Sequence, residues 1–164
     1  MRWLITLVAV ISIAGGASAQ DHSYSTHPSD FHSAAYLKEQ VAKLLTEAKA
    51  SPSEFANLSM ERYPGHRMNV IVRVKNGSAE LHGKYSDIYV ALDGEAAILI
   101  GGTMENRVEM ADGEARGTRV IGGTRQELRP GDVIHIAPGV PHQVLIGPGK
   151  SFSYIMVKAE VPSK

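Results

Sequence analysis

The stretch Pro130-Gly131-Asp132-Val133-Ile134-His135-Ile136-Ala137-Pro138-Gly139-Val140-Pro141-His142 decides how the chain is read. A Pro-Gly turn opens a short apolar run, a second Pro-Gly turn closes it, and a histidine follows the next proline. Glycine supplies the positive φ that tight turns need, and proline presets their first position. Between them Val133 to Ile136 is too short for a helix and rich in β-branched residues, so it reads as a strand. His142 then precedes another strand-like run, Gln143–Ile146.

The same punctuation recurs outward from this stretch. Asn76-Gly77, Asp93-Gly94, Gly101-Gly102, Asp112-Gly113 and Gly122-Gly123 interrupt runs of Val, Ile and Tyr. Asp93-Gly94, set between two apolar runs, is the strongest hairpin signal. Strands are expected over 68–74, 79–84, 88–92, 95–100, 103–110, 119–121, 133–136, 143–146 and 152–161. Many short strands without intervening helices predict an all-β chain, a jelly-roll sandwich or barrel. The runs 68–74 and 152–161 are expected to be long edge strands, apolar enough to invite pairing, from which self-association is expected.

One helix precedes the strands. Leu37, Val41, Leu44, Leu45 and Ala48 recur at three- and four-residue steps, with Lys38, Glu39, Lys43 and Glu47 on the other side, until Ser51-Pro52 stops the pattern. Such a helix packs its stripe against the outside of the β-structure. Before it, Met1-Arg2, the apolar run Leu4–Ile13 and Ala17-Ser18-Ala19 are the three parts of a secretory signal peptide. The domain plan is therefore a signal peptide over 1–19, a polar start and helix over 20–57, and a β-domain over 58–164. The mature chain is expected to be exported, secreted or periplasmic. Cleavage would leave Gln20-Asp21-His22, an amine with histidine third, which offers Cu(II) or Ni(II) a square plane.

Composition narrows the function. With 164 residues the chain is one domain of ordinary size. Seventeen Lys plus Arg balance seventeen Asp plus Glu, so no net field recommends a nucleic acid or an anionic membrane as partner. The absence of cysteine excludes disulfides, thiolate metal sites and a cysteine nucleophile. No Gly-x-Ser-x-Gly elbow is present, and no glycine loop joins a strand to a helix as phosphate binding requires.

The quoted stretch resembles the second sequence motif of the cupin superfamily. Gly131 is followed by five residues, a small-residue/Pro-Gly turn, two further residues and His142. Ala137 stands where the family usually has proline, and Ile146 where it often has asparagine. Upstream, His82 through Gly94 resembles the first motif, with an acid at Asp87 and then six residues before Gly94. The resemblance spans about Met68 to Val157 and implies a double-stranded β-barrel that is commonly a dimer. It also implies a divalent metal held by histidines and a carboxylate, although a fold of this breadth does not choose an activity.

Two registers place the ligands. With His82 in the second histidine position, Glu80 fills the first and the gap to Asp87 fits. With His82 in the first, Lys84 fills the second and the gap is one residue short. The candidate metal ligands are therefore Glu80, His82, Asp87 and His142. Imidazole nitrogens with carboxylate oxygens suit Zn, Fe, Mn, Ni or Cu and leave positions open for water or substrate. Lys84, Tyr89 and His135 are candidate pocket residues. Lys84 shares the two-residue period of Glu80 and His82 and would neutralise a carboxylate in an emptied site. Tyr89 alternates with Asp87. His135 enters the pocket only if Ile134 and Ile136 face outward. The expected roles are a metal-dependent oxidoreductase or isomerase acting on a small polar molecule. The alternative is a non-catalytic binding or structural cupin with an emptied metal site.

Overall fold

The structure is a computed structural model that describes residues 24–161. The signal-peptide reading, the cleavage point and Gln20-Asp21-His22 lie outside the described residues. Among those described, no helix is long and apolar enough to cross a membrane.

Helix α1 spans Ala34–Ala50. Ser33 caps it, its hydroxyl accepting from the Tyr36 backbone N–H, and Ser51 leaves the helix in an extended conformation ahead of Pro52. Thirteen strands follow. The first five are β1 (Phe55–Tyr63), β2 (His66–Arg73), β3 (Ala79–Leu81), β4 (Tyr85–Gly94) and β5 (Ala96–Ile100). Four short ones come next: β6 (Thr103–Glu105), β7 (Val108–Glu109), β8 (Ala115–Gly117) and β9 (Arg119–Ile121). The last four are β10 (Thr124–Leu128), β11 (Val133–Ile136), β12 (His142–Leu145) and β13 (Phe152–Glu160).

All the pairings are antiparallel and build two facing sheets, ordered β1-β2-β13-β4-β11 and β10-β5-β12-β3-β8-β7, with β6 and β9 as a separate ribbon. This is the expected jelly-roll. Ile71, Tyr89, Ala91, Ile136, Phe152 and Tyr154 of the first sheet meet Ala96, Ile98, Leu128 and Val144 of the second in one apolar layer. The outer face of the first sheet is covered by the helix. Leu44 and Ala48 pack on Ala56, Val70 and Val72, with Leu37, Val41 and Leu45 at the margin.

Two expectations are corrected. The runs 68–74 and 152–161 are not edges, because β2 and β13 each pair on both sides. Their apolar character serves two buried faces, the helix-covered one and the inter-sheet one, so the argument for self-association through them falls. β1 occupies the edge instead. The strand expected over 79–84 ends at Leu81, and the one expected over 103–110 is broken into β6 and β7 around Asn106, which has a positive φ of 49°.

Candidate metal centre

Strand register brings the two motifs together. β12 lies beside β3 with His142 directly opposite Glu80, and the turn before His142 is tied to the first motif by the Gly139 N–H donating to the His82 carbonyl at 2.8 Å. Asp87, Tyr89 and Ala91 alternate inward along β4, as the two-residue period requires. His82, Asp87 and His142 are each at least 97% buried, and Glu80 is half-buried beside them.

Donor atoms of Glu80, His82 and His142 all lie within 4.8 Å of one another. The His82 Nε2 stands 3.4 Å from Glu80 Oε2 and 3.3 Å from Asp87 Oδ2, and the His142 Nε2 is 3.4 Å from the same Asp87 oxygen. Bonds of about 2.0–2.1 Å meeting near the tetrahedral angle set ligand atoms about 3.3–3.4 Å apart, so these separations fit a shared transition-metal ion.

The remaining hydrogen bonds point the same way. The His82 Nδ1 is 2.5 Å from Glu114 Oε2, and the His142 Nδ1 is 3.0 Å from the Val140 carbonyl. Those partners only accept, so each Nδ1 carries a proton and each Nε2 is turned inward, where an ion would take its lone pair. Both Nε2 atoms are buried without a well-aligned hydrogen-bond partner, their neighbours being carboxylate oxygens at 3.3–3.4 Å. Buried polar atoms are rarely left so, and an outer acceptor on the far ring nitrogen is how metal-binding histidines are held.

Charges reinforce one another around the centre. Burial pushes the Glu80 carboxyl up, but the adjoining His82 and the charges of Arg116 and Arg73 outweigh it and hold the group at about 2. Burial lowers His82, but the carboxylates of Asp87 and Glu80 beside its Nε2 outweigh that and push it up to about 9, so that without an ion the Nε2 holds a second proton. Asp87 resists burial in the same way and stays far below the usual carboxylate range through His142, His82 and Lys158. Burial pushes the Tyr89 hydroxyl up, so it stays protonated and lies 3.3 Å from Asp87 Oδ2 as a donor.

Lys84 and His135 stand elsewhere. β3 ends at Leu81, so the two-residue period does not carry through the His82–Lys84 bend, and the Lys84 Nζ pairs with Asp112 at 2.5 Å in solvent. Ile136 is buried and Ile134 packs on the core, which turns His135 outward. His66 opens β2 and stacks on Tyr63.

The interior lysine is Lys158 on β13, whose Nζ is 3.2 Å from Asp87 Oδ1. Glu114, at the end of the short turn Ala111–Gly113, is the other participant that sequence reading missed. Neither belongs to a motif. The inward alternation Tyr154, Met156, Lys158 marked the lysine for the interior, and nothing in the sequence marked the glutamate.

Among solved structures the chain is similar to the TT1209 protein from Thermus thermophilus, with a TM-score of 0.53 and 16% identity over 76% of this chain and 95% of that one. It is also similar to the cupin domain of Cnp3 from Schizosaccharomyces pombe, with a TM-score of 0.50 and 8% identity over 66% of each chain. No family model and no curated protein matches the sequence. The chain has the cupin fold, and at these identities the likeness is one of fold.

Proposed function

We propose that this is an exported metal-binding cupin in which Glu80, His82 and His142, with Asp87, hold one divalent transition-metal ion. In this reading it acts on a small polar molecule as a metal-dependent oxidoreductase or isomerase. The observation that carries the proposal is the pair of buried Nε2 atoms without a well-aligned hydrogen-bond partner, each fixed inward by an acceptor on its Nδ1. A bound ion would supply a Lewis acid that polarises a substrate oxygen. The protein's own groups do the rest. Glu114 and the Val140 carbonyl orient the two imidazoles, Tyr89 and Lys158 hold Asp87, and the carboxylate of Glu80 stands between the ion and the adjoining cavity.

One observation favours a second reading, a binding or structural cupin with an emptied site. Lys158 brings a cation to Asp87, the role that sequence reading gave to Lys84, and a cation there opposes a metal ion. The two readings part on stoichiometry. Elemental analysis of the purified mature chain is expected to find one divalent metal per chain, lost in His142→Ala and weakened in Glu80→Gln, because an amide oxygen is a poorer ligand than a carboxylate. A parent chain that retains no zinc, iron, manganese, nickel or copper after loading and desalting supports the emptied site.

A further inference from the structure

Beside the metal centre lies a cavity of about 370 Å³ between the inner face of the first sheet and Glu80 and Arg116 of the second. Its wall carries five cationic side chains, Arg62, Arg67, Arg73, Arg116 and Lys158, against the single carboxylate of Glu80. The register makes the arrangement sharper. Arg62 on β1 is directly opposite Arg67 on β2, Arg67 is opposite Lys158 on β13, and Lys158 is opposite Asp87 on β4. Three cations therefore stand in one cross-strand row with a carboxylate only at its end. Like charges directly opposite destabilise a sheet, so this row costs the fold stability unless something answers it.

The described residues answer it only in part, with Arg62 lying over the Tyr24 ring, 5.2 Å from its centroid. Lys158 pairs with Asp87, and Arg116 reaches Glu80 and Glu114 at 3.9 and 3.7 Å. Arg62, Arg67 and Arg73 take part in none of the ion pairs among the described residues. Arg73 is held in place by donating its Nε–H to the Tyr154 hydroxyl at 3.2 Å and by lying over the Phe55 ring, 4.6 Å from its centroid. A guanidinium fixed on its Nε side, with Glu80 near enough to favour its charge but beyond ion-pair distance, is a pre-oriented fork for an oxyanion. Phe55, Ile71 and Met156 line the same cavity and offer cover to hydrocarbon, which a bare inorganic ion does not need.

We infer that the small molecule taken by this cavity is an organic carboxylate, its acid group held by Arg67 and Arg73 and its other end directed toward Glu80 and the metal centre. This deepens the proposed function of the same site and rests on it only for where the far end of the ligand lies. Succinate serves as the probe, with its neutral diamide, succinamide, and inorganic phosphate as controls. Each is titrated calorimetrically into the mature chain, both EDTA-treated and zinc-loaded, and zinc content is measured in the same samples.

Succinate is expected to bind both forms, succinamide and phosphate at least tenfold more weakly. Arg67→Gln and Arg73→Gln are each expected to weaken succinate tenfold or more without changing zinc content. Arg67 is exposed, so its variant decides the matter even if Arg73→Gln, which breaks the Tyr154 contact, folds poorly. Equal binding of succinamide, equal binding of phosphate, or an unchanged Kd in Arg67→Gln overturns the inference. Succinate binding that appears only with zinc and ignores the arginines overturns it too. Arginine-dependent binding by a chain that takes no zinc upholds the anion site while removing the metal reading, so the two fail separately.

Discussion

At the scale of single residues, the centre is a set of charges that makes sense only together. In the metal-free chain His82 titrates near 9 rather than at its ordinary 6.5, and Glu80 near 2 rather than 4.5. A raised histidine contributes stability that is complete below about 6.5 and lost as pH rises through 9. A depressed carboxyl contributes stability that is complete above about 4.5 and lost as pH falls through 2. The EDTA-treated chain is therefore expected to be most stable between about pH 4.5 and 6.5 and to lose Tm from 6.5 to 9. The zinc-loaded chain should be flat over that upper range, because the ion takes the place of the proton. A parallel decline with and without zinc, followed by calorimetry, would contradict the assignment of His82. Lys158 gives a second residue-scale prediction. Lys158→Met leaves Asp87 buried beside no lysine and should cost the metal-free chain about 3–5 kcal/mol, with zinc restoring much of it. Four of these residues, Glu80, His82, Asp87 and His142, were legible because they sit in two short motifs whose spacing is set by strand period and turn length. Lys158 and Glu114 were not, since strand pairing and a loop bring them in from distant sequence.

At the scale of elements, the centre depends on how closely two loops pass. A Cβ on Gly83 would lie 2.8 Å from the Gly113 carbonyl oxygen and 2.9 Å from its Cα, in the turn that carries Glu114 to His82. Gly83→Ala must push that turn away. It is expected to weaken zinc about 10–100-fold through loss of the Glu114–His82 hydrogen bond, while Tm falls only modestly. Unchanged zinc affinity in this variant would show that Glu114 does not orient the imidazole. The helix provides the contrast. Leu44→Ala opens a hole between α1 and the outer face of the first sheet and should cost about 2–5 kcal/mol in urea denaturation without altering zinc affinity. The helix and most strands were readable from periodicity, whereas β1, β8 and β10 were not singled out. In β1 the apolar residues Ala56, Leu58 and Met60 face the helix, and Asn57 and Ser59 face the polar cavity, so its interior side looks like a surface. In β10 the exposed Arg125 and Glu127 pair with each other along a sheet edge, and charge of that kind is what edges carry.

At the scale of the whole molecule, two sheets enclose the core, a helix braces one of them from outside, and the metal candidates sit where β3, β4 and β12 converge beside a cationic cavity. The fold was legible as a whole because turn glycines and two ordered motifs constrain topology tightly. Sequence reading placed Lys84 inside because it extended β3 three residues too far, and it therefore put the interior cation on the wrong strand. An ion that binds only the folded chain must raise its melting temperature in proportion to the logarithm of its concentration above Kd. The most direct test of the central claim is the metal content of the purified chain, measured by elemental analysis after zinc loading and desalting, beside the same measurement on His142→Ala. One zinc per parent chain, with Tm raised by zinc, and none in His142→Ala is the result expected. A parent chain without metal, or a His142→Ala chain that keeps a full equivalent, would contradict it.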